Sequence, residues 1–339
     1  MVLSHAPATR AGGDRSGRPL PFAGLWKPLR KSGSAAIAFF PGARPGAGTF
    51  GTGGLDPHLG RIGSLEVRLA TKAKEIRRAQ RLRFKVFYDE LSAVPNPASL
   101  IARRDFDEYD AVCDHLLVID HAAELGAARQ GKPRVVGTYR LMRQDVADRT
   151  FGFYSAGEYD TERLIAANPS ARFLELGRSC VLPAYRNRRI VELLWHGVWS
   201  YVLHHRIDVM IGCASLEGSD PARLALPLSF LHHHASARDP WRVRALRERY
   251  VAMDMLAADA IDPRRALNAL PPLIKGYLRL GAMIGDGAVI DHQFGTTDVL
   301  IVLPVAAINP RYVGHFGADA GRHSWRKQPR PEDRQLACA

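Results

Sequence analysis

The 339-residue chain is 46% hydrophobic and carries a formal net charge of +13, with 47 Lys and Arg against 34 Asp and Glu. That is enough apolar material for one large or two small globular domains, and the charge asks for an anionic partner: nucleic acid, an acidic protein or an anionic membrane surface. The four cysteines (Cys113, Cys180, Cys213, Cys338) form no Cys-x-x-Cys pair and no apolar run nears the ~20 residues of a bilayer span, which excludes a disulfide scaffold and a transmembrane helix and fits a reducing cytoplasm.

Residues 1–60, rich in Gly, Pro, Ala, Ser and Arg and without periodicity, read as a disordered extension. The folded domain is expected over 61–317, with regular structure from Leu65, and the polar tail over 318–339 as flexible. Leu65–Ala70 is a short strand. Residues 71–91 form a helix with Ile76, Ala79, Arg83, Val86, Phe87 and Leu91 facing inward. Val112–Asp120 and Arg134–Arg143 are strands joined by a polar hairpin loop. Phe173–Leu182 is a strand, Asn187–His205 a helix, Asp208–Ser215 a strand, and Pro221–His234 helical. Residues 240–280 are expected to be mainly helical, broken at Pro271-Pro272. Ala288–Phe294 and Thr297–Val305 are strands. This order gives an α+β fold: one mixed β-sheet flanked by helices.

Several polar residues sit where apolar ones belong. Arg83 faces the core, and a buried guanidinium requires an acid. Asp105, Asp107 and Asp110 lie just downstream, spaced to converge on Arg83 or on a cationic substrate; they lack the length and glycine of a calcium loop. Arg140 lies in a buried-looking strand. Glu175 and Arg178 stand three apart in another, hence on opposite faces unless a bulge near Gly177 turns them together. The strand ends at Pro183 and runs through Arg186, Arg188 and Arg189 into a helix whose first N–H groups have no intrahelical partner, a design that suits phosphate. His115 and Asp120, five apart on a strand, face opposite sides and cannot act as a pair. The runs His204-His205 and His232-His233-His234 point in different directions and cannot chelate one ion; no metal is expected.

With these residues in place, the sequence resembles the GNAT acyltransferase superfamily, and within it the bacterial L-ornithine N-alpha-acyltransferases (hemolysin-like acyltransferases). The stretches that carry the resemblance include 83–90, 105–110, 113–118, 135–141, 175–181, 193–197, 270–281 and 294–299, in order over roughly 65–316. A wider similarity reaches the acyl-homoserine-lactone synthases, whose functional pattern falls here on Arg83, Asp105, Asp107, Asp110, Arg140, Glu175 and Arg178. Gly177 stands where those synthases have Ser, so lactone-forming chemistry does not carry over.

The resemblance implies an enzyme that moves a 3-hydroxy fatty acyl group from acyl carrier protein to the α-amine of L-ornithine, giving lyso-ornithine lipid. It implies no bound cofactor, the acyl donor being carried on phosphopantetheine. The turn 186–191 lacks the close-approach glycines of acetyl-CoA-dependent relatives and suits a single phosphate. The roles expected are Glu175 as base beside Arg178, Arg140 and Arg178 for the ornithine carboxylate, and the Asp105/Asp107/Asp110 cluster for its δ-ammonium. Backbone N–H groups at Cys180 and Val181 would hold the oxyanion, and Arg186, Arg188 and Arg189 the donor. Peripheral contact with an anionic inner-membrane surface is a further expectation, and nucleic acid is not. Two readings stay open: another amino acid acceptor on the same fold, and a non-enzymatic basic binding module.

Overall fold

The computed structural model describes residues 53–122 and 133–309. The expectations for residues 1–52, the loop 123–132 and the tail 318–339 fall outside them. The chain forms β1 (His58–Ile62), β2 (Leu65–Leu69), α1 (Ala73–Phe84), α2 (Pro97–Ala102), β3 (Asp114–Asp120), β4 (Arg134–Arg143), α3 (Gln144–Ala147) and α4 (Thr161–Ala166). There follow β5 (Phe173–Val181), α5 (Arg188–His205), β6 (Val209–Glu217), α6 (Ala225–Ala235), α7 (Pro263–Ala269), α8 (Pro272–Leu280), β7 (Met283–Ile284), β8 (Val289–Asp291) and β9 (Thr296–Pro304). All nine strands join one sheet in the order β1-β2-β3-β4-β5-β6-β9-β7, with β8 also on β9. Only β5 and β6 run parallel; every other pairing is antiparallel.

The expected mixed sheet with flanking helices is therefore present. Its central strands read as nearly continuous apolar runs because both faces are covered. Helix α5 packs across β1–β4, and a Cβ at Gly197 would lie 2.7 Å from Val67, so the helix sits closer to the sheet than any larger residue allows. Helix α1 lies over β4 and β5.

Three expectations change. Folded sequence starts before Leu65 and inside the segment assigned to disorder: β1 pairs with β2, and Leu59 is buried in the core. Among residues 240–280 only α7, α8 and a single turn at Ala258–Ala260 are helical; the prolines, and aspartates that cap rather than continue helices, leave the rest as loop. The helix expected over 71–91 ends as α at Phe84 and continues as a π turn over Lys85–Glu90, which leaves Leu91 55% exposed instead of inward. Such π turns cluster at functional sites.

β5 and β6 are in register only from Phe173–Val209 to Glu175–Ile211. At the parting point a Cβ on Gly212 would be 2.3 Å from the Leu176 carbonyl oxygen, so only glycine fits there. Beyond it β5 pairs with β4 and β6 with β9, leaving a gap between two strands of one sheet.

Candidate active site

The gap holds a cavity of about 330 Å³. Its walls include Leu176, Gly177, Arg178 and Ser179 of β5, Cys213, Ala214 and Ser215 of β6, and Arg140 of β4. Glu175 lies at its base, and Asp291, Phe294 and Asp298 close the far side.

The register of β4 against β5 jumps between Thr138–Cys180 and Arg140–Gly177, so two β5 residues, Arg178 and Ser179, oppose one on β4. This is the bulge expected near Gly177. The left-handed residue is Arg178 itself, at φ 47°. A β-bulge re-aims side chains, and this one puts Glu175 and Arg178 in the same cavity. A non-glycine left-handed backbone is strained, and such strain gathers at functional sites.

Three arginines and three aspartates interlock beneath the cavity. Arg83, fully buried, forks onto Asp110 at 2.9 and 2.7 Å, and its Nε lies 2.7 Å from Asp105. Arg140 donates to Asp107 at 2.5 Å and reaches Asp110 at 3.5 Å. Arg178 makes longer contacts, 3.6 Å to Asp105 and 3.4 Å to Asp107, and lies over the rings of Tyr154 and Phe294. The expected Arg83–acid pairing is present. The arginines take up all three carboxylates, and Asp105 and Asp110 are buried, which leaves these acids little capacity for the ammonium expected there. The Arg83 guanidinium accordingly holds the Asp110 carboxyl well below the usual range, against the effect of burial.

Glu175 is buried, and its two oxygens accept the backbone N–H groups of Tyr154 (2.7 Å) and Ser155 (2.8 Å). Burial raises its pKa; those donors and Arg140 oppose the rise without cancelling it. Burial also pushes the Cys113 thiol up to about 12 and raises Cys180 and Cys213, so no thiolate nucleophile is prepared among the described residues.

Cys180 and Val181 lie on β5 opposite Thr138 and Gly137. The Leu182 N–H bonds the Val136 carbonyl at 2.9 Å. By antiparallel alternation the Cys180 N–H is spent in the same ladder, while that of Val181 turns to the gap. Of the three basic residues after Pro183, Arg186 forks onto Glu90 at 2.6 and 2.9 Å. Arg188 and Arg189 are exposed at the start of α5. Asn187 caps the N–H groups of Arg189 and Ile190 there, so the helix start offers a phosphate less backbone than its sequence suggested.

The sequence reading missed a carboxylate trio. Ligand oxygens of Glu158, Asp291 and Asp298 lie within 4.8 Å of one another and form the one such convergence of three or more His, Cys, Asp or Glu groups found among the described residues. Arg249 pairs with Glu158 at 3.3 Å. Burial, then the charge of Glu158, pushes the Asp298 carboxyl up to about 6. The signal was available: an Asp in the apolar run 296–304 is as anomalous as Arg140 in its strand. The histidine runs form no such group; His204 and His233 bond backbone carbonyls of Gly53 and Leu256. His115 bonds the Asp110 carbonyl and stands five residues from Asp120 along β3.

Residues 82–196 match the acetyltransferase (GNAT) domain model. The chain is 56% identical over 264 residues to the L-ornithine N(alpha)-acyltransferase of Brucella abortus (strain 2308), covering 78% of this chain and 92% of that one. It is equally 56% identical over 266 residues to the same-named protein of Rhizobium meliloti (strain 1021), covering 78% and 88%. Among solved structures it is similar to the AHL synthase LasI, with 12% identity, a TM-score of 0.39, and coverage of 73% and 96%.

Proposed function

The chain belongs to the L-ornithine N(alpha)-acyltransferase family of GNAT acyltransferases, and we propose that the β5–β6 cavity transfers a 3-hydroxy fatty acyl group from acyl carrier protein to the α-amine of L-ornithine, the first step towards ornithine lipid. The observation that carries this reading is the bulge that sets a buried carboxylate, Glu175, and a loosely held cation, Arg178, on one cavity wall.

The amine attacks the thioester carbonyl as a neutral group. In model compounds an α-amine titrates near ~8 and a side-chain amine near ~10.4, so near neutrality the α-amine is deprotonated far more often. Glu175 takes the proton released as the C–N bond forms, directly or through water; its raised pKa makes it a better base. The Val181 N–H, turned to the gap, stabilises the tetrahedral oxyanion. The intermediate collapses with loss of the pantetheine thiol, and transfer is direct, since none of Cys113, Cys180 and Cys213 has a lowered pKa.

Arg178 holds the ornithine carboxylate, its long contacts to Asp105 and Asp107 leaving donor capacity for a ligand; Arg140 buttresses Asp107 behind it. With the expected aspartates engaged, Asp291 and Asp298 take the δ-ammonium. Arg188 and Arg189 meet the phosphopantetheine phosphate and the acidic carrier. They are joined by Arg78, Arg81, Lys85 and Arg134, which line a groove of about 420 Å³ with Leu182. No bound cofactor enters the scheme. Mixing purified protein with 3-hydroxyacyl thioesters of carrier protein or CoA and a panel of amino acids tests it. Preference for ornithine and the carrier thioester is expected; preference for CoA, or for an uncharged acceptor, overturns the donor or acceptor assignment.

A further inference from the structure

The cavity mouth has apolar lips. Leu91 and Leu273 both line the cavity, yet are 55% and 39% exposed. From Leu91 the chain runs through 91–102, Leu-Ser-Ala-Val-Pro-Asn-Pro-Ala-Ser-Leu-Ile-Ala, without one charged residue. Val94, Leu100 and Ile101 on it are 65%, 52% and 86% exposed. This is not a loose loop. Ala93 is buried, the Val94 N–H bonds the Gln293 carbonyl at 2.7 Å, the Ala93 N–H bonds that of Phe87 at 2.9 Å, and Asn96 caps α2. An ordered backbone thus presents large apolar side chains to water, which a folded chain rarely does without a partner.

Asp89 and Glu90, just before Leu91, are neutralised by Arg103 and Arg186, and three further cations flank the lips. Arg104 follows α2 and donates to Gln80; Lys275 and Arg279 follow Leu273 along α8. None of the three has a carboxylate within 4.0 Å among the described residues. Exposed Leu, Ile and Val flanked by Arg and Lys is the composition of an element that seats at the boundary between lipid headgroups and chains. No helix among the described residues is long and apolar enough to cross a membrane, so such seating would be peripheral.

We infer that the rim formed by Leu91, Val94, Leu100, Ile101 and Leu273 docks this protein on an anionic phospholipid surface, with the cavity mouth facing the bilayer. Part of the reasoning rests on the acyl-transfer reading: the product carries a long apolar chain that would cross water to reach a membrane, whereas a mouth with apolar lips delivers it directly. An acidic carrier protein is the less favoured occupant, because its recognition is electrostatic and gives no role to twelve uncharged residues.

Vesicle co-sedimentation of the full chain without substrates tests the inference. Wild type should bind phosphatidylglycerol-containing vesicles, and bind pure phosphatidylcholine and high-salt samples more weakly. Ile101→Glu should lower vesicle affinity roughly tenfold or more, Ile101→Phe should restore it, and both should keep transfer from soluble thioesters. Unchanged vesicle binding by Ile101→Glu overturns the inference. So does a variant that binds vesicles normally but shows a raised KM for carrier protein, which would make the rim a carrier interface. Because vesicle binding is read without turnover, failure of the acyl-transfer reading would show separately, as absence of product with wild type.

Discussion

At the scale of single residues, charge pairing decides which polar groups are available to a substrate. Arg83 is committed to structure. Replacing it with Met leaves the buried Asp105 and Asp110 only the longer arginine contacts, from Arg178 and Arg140, and losing the close partner of a buried pair costs ~3–5 kcal/mol; a fall of that size in urea-unfolding stability is expected, and a change below ~1 kcal/mol would contradict the network. Asp298, by contrast, faces the cavity with its carboxyl pushed up to about 6. Below that pH it is neutral and holds an ammonium poorly, so the KM for ornithine should rise as pH falls through 6. Asp298→Asn should show a high KM at every pH and lose that step; an unchanged KM would remove Asp298 from the acceptor site. Arg83, Arg140, Glu175 and Arg178 were legible in the sequence because each breaks an apolar pattern. The pairing of Arg83 with the aspartate cluster was legible too; that Arg140 and Arg178 share the cluster was not, since sequence gives proximity along the chain but not which distant charges meet.

At the scale of elements, the gap between β5 and β6 makes the candidate site, and Gly212 sets where it opens. Gly212→Ala forces a Cβ to within 2.3 Å of the Leu176 carbonyl unless the strands shift. A stability loss of ~1–3 kcal/mol with a larger loss of turnover is expected; wild-type turnover would show that the parting tolerates displacement. The bulge was foreseen as a need but not in its detail: a glycine in a strand marks a bend, while the left-handed residue proved to be its neighbour Arg178. The helix start at 187–190 was read as an open phosphate site because orphan N–H groups are visible in any sequence. That Asn187 fills two of them is settled only by side-chain geometry. In the proposed scheme the donor role therefore falls to the side chains of Arg188 and Arg189, and Arg188→Glu with Arg189→Glu should raise the KM for carrier protein while leaving that for ornithine unchanged. A rise confined to ornithine would misplace the donor.

At the scale of the whole molecule, the strand–helix order gave the sheet and its flanking helices, because apolar runs and periodicity mark them directly. The proline-rich stretch 240–280 was misjudged since its apolar spacing mimics helix while its cap residues end each turn early. Folding starts earlier than composition suggests, at β1. Removing residues 1–52 spares every described contact, whereas a cut through 60 takes Leu59 from the core and should lower the melting temperature. Two buried groups set opposing pH dependences. Burial holds His115 at about 4, below the ~6.5 of an unfolded chain. The unfolded state binds more protons between those values, and stability falls on acidification. Asp298, at about 6 against ~3.9 unfolded, binds its proton in the native state first, so its term grows on acidification from 6 to 4. Asp298→Asn should therefore lose stability more steeply than wild type between pH 6 and 4 in urea melts; a parallel profile would contradict the burial of Asp298.

The central claim is that Glu175, in the cavity between β5 and β6, accepts the proton as ornithine takes the acyl group. Its most direct test is single-turnover transfer from 3-hydroxyacyl carrier protein to ornithine by wild type and by Glu175→Gln, with folding checked because the new amide faces one of the N–H groups of Tyr154 and Ser155. Wild type should give the α-acylated product, and the folded variant should be slower by roughly 10²–10⁴-fold. Transfer at a near wild-type rate by the folded variant would place the base elsewhere.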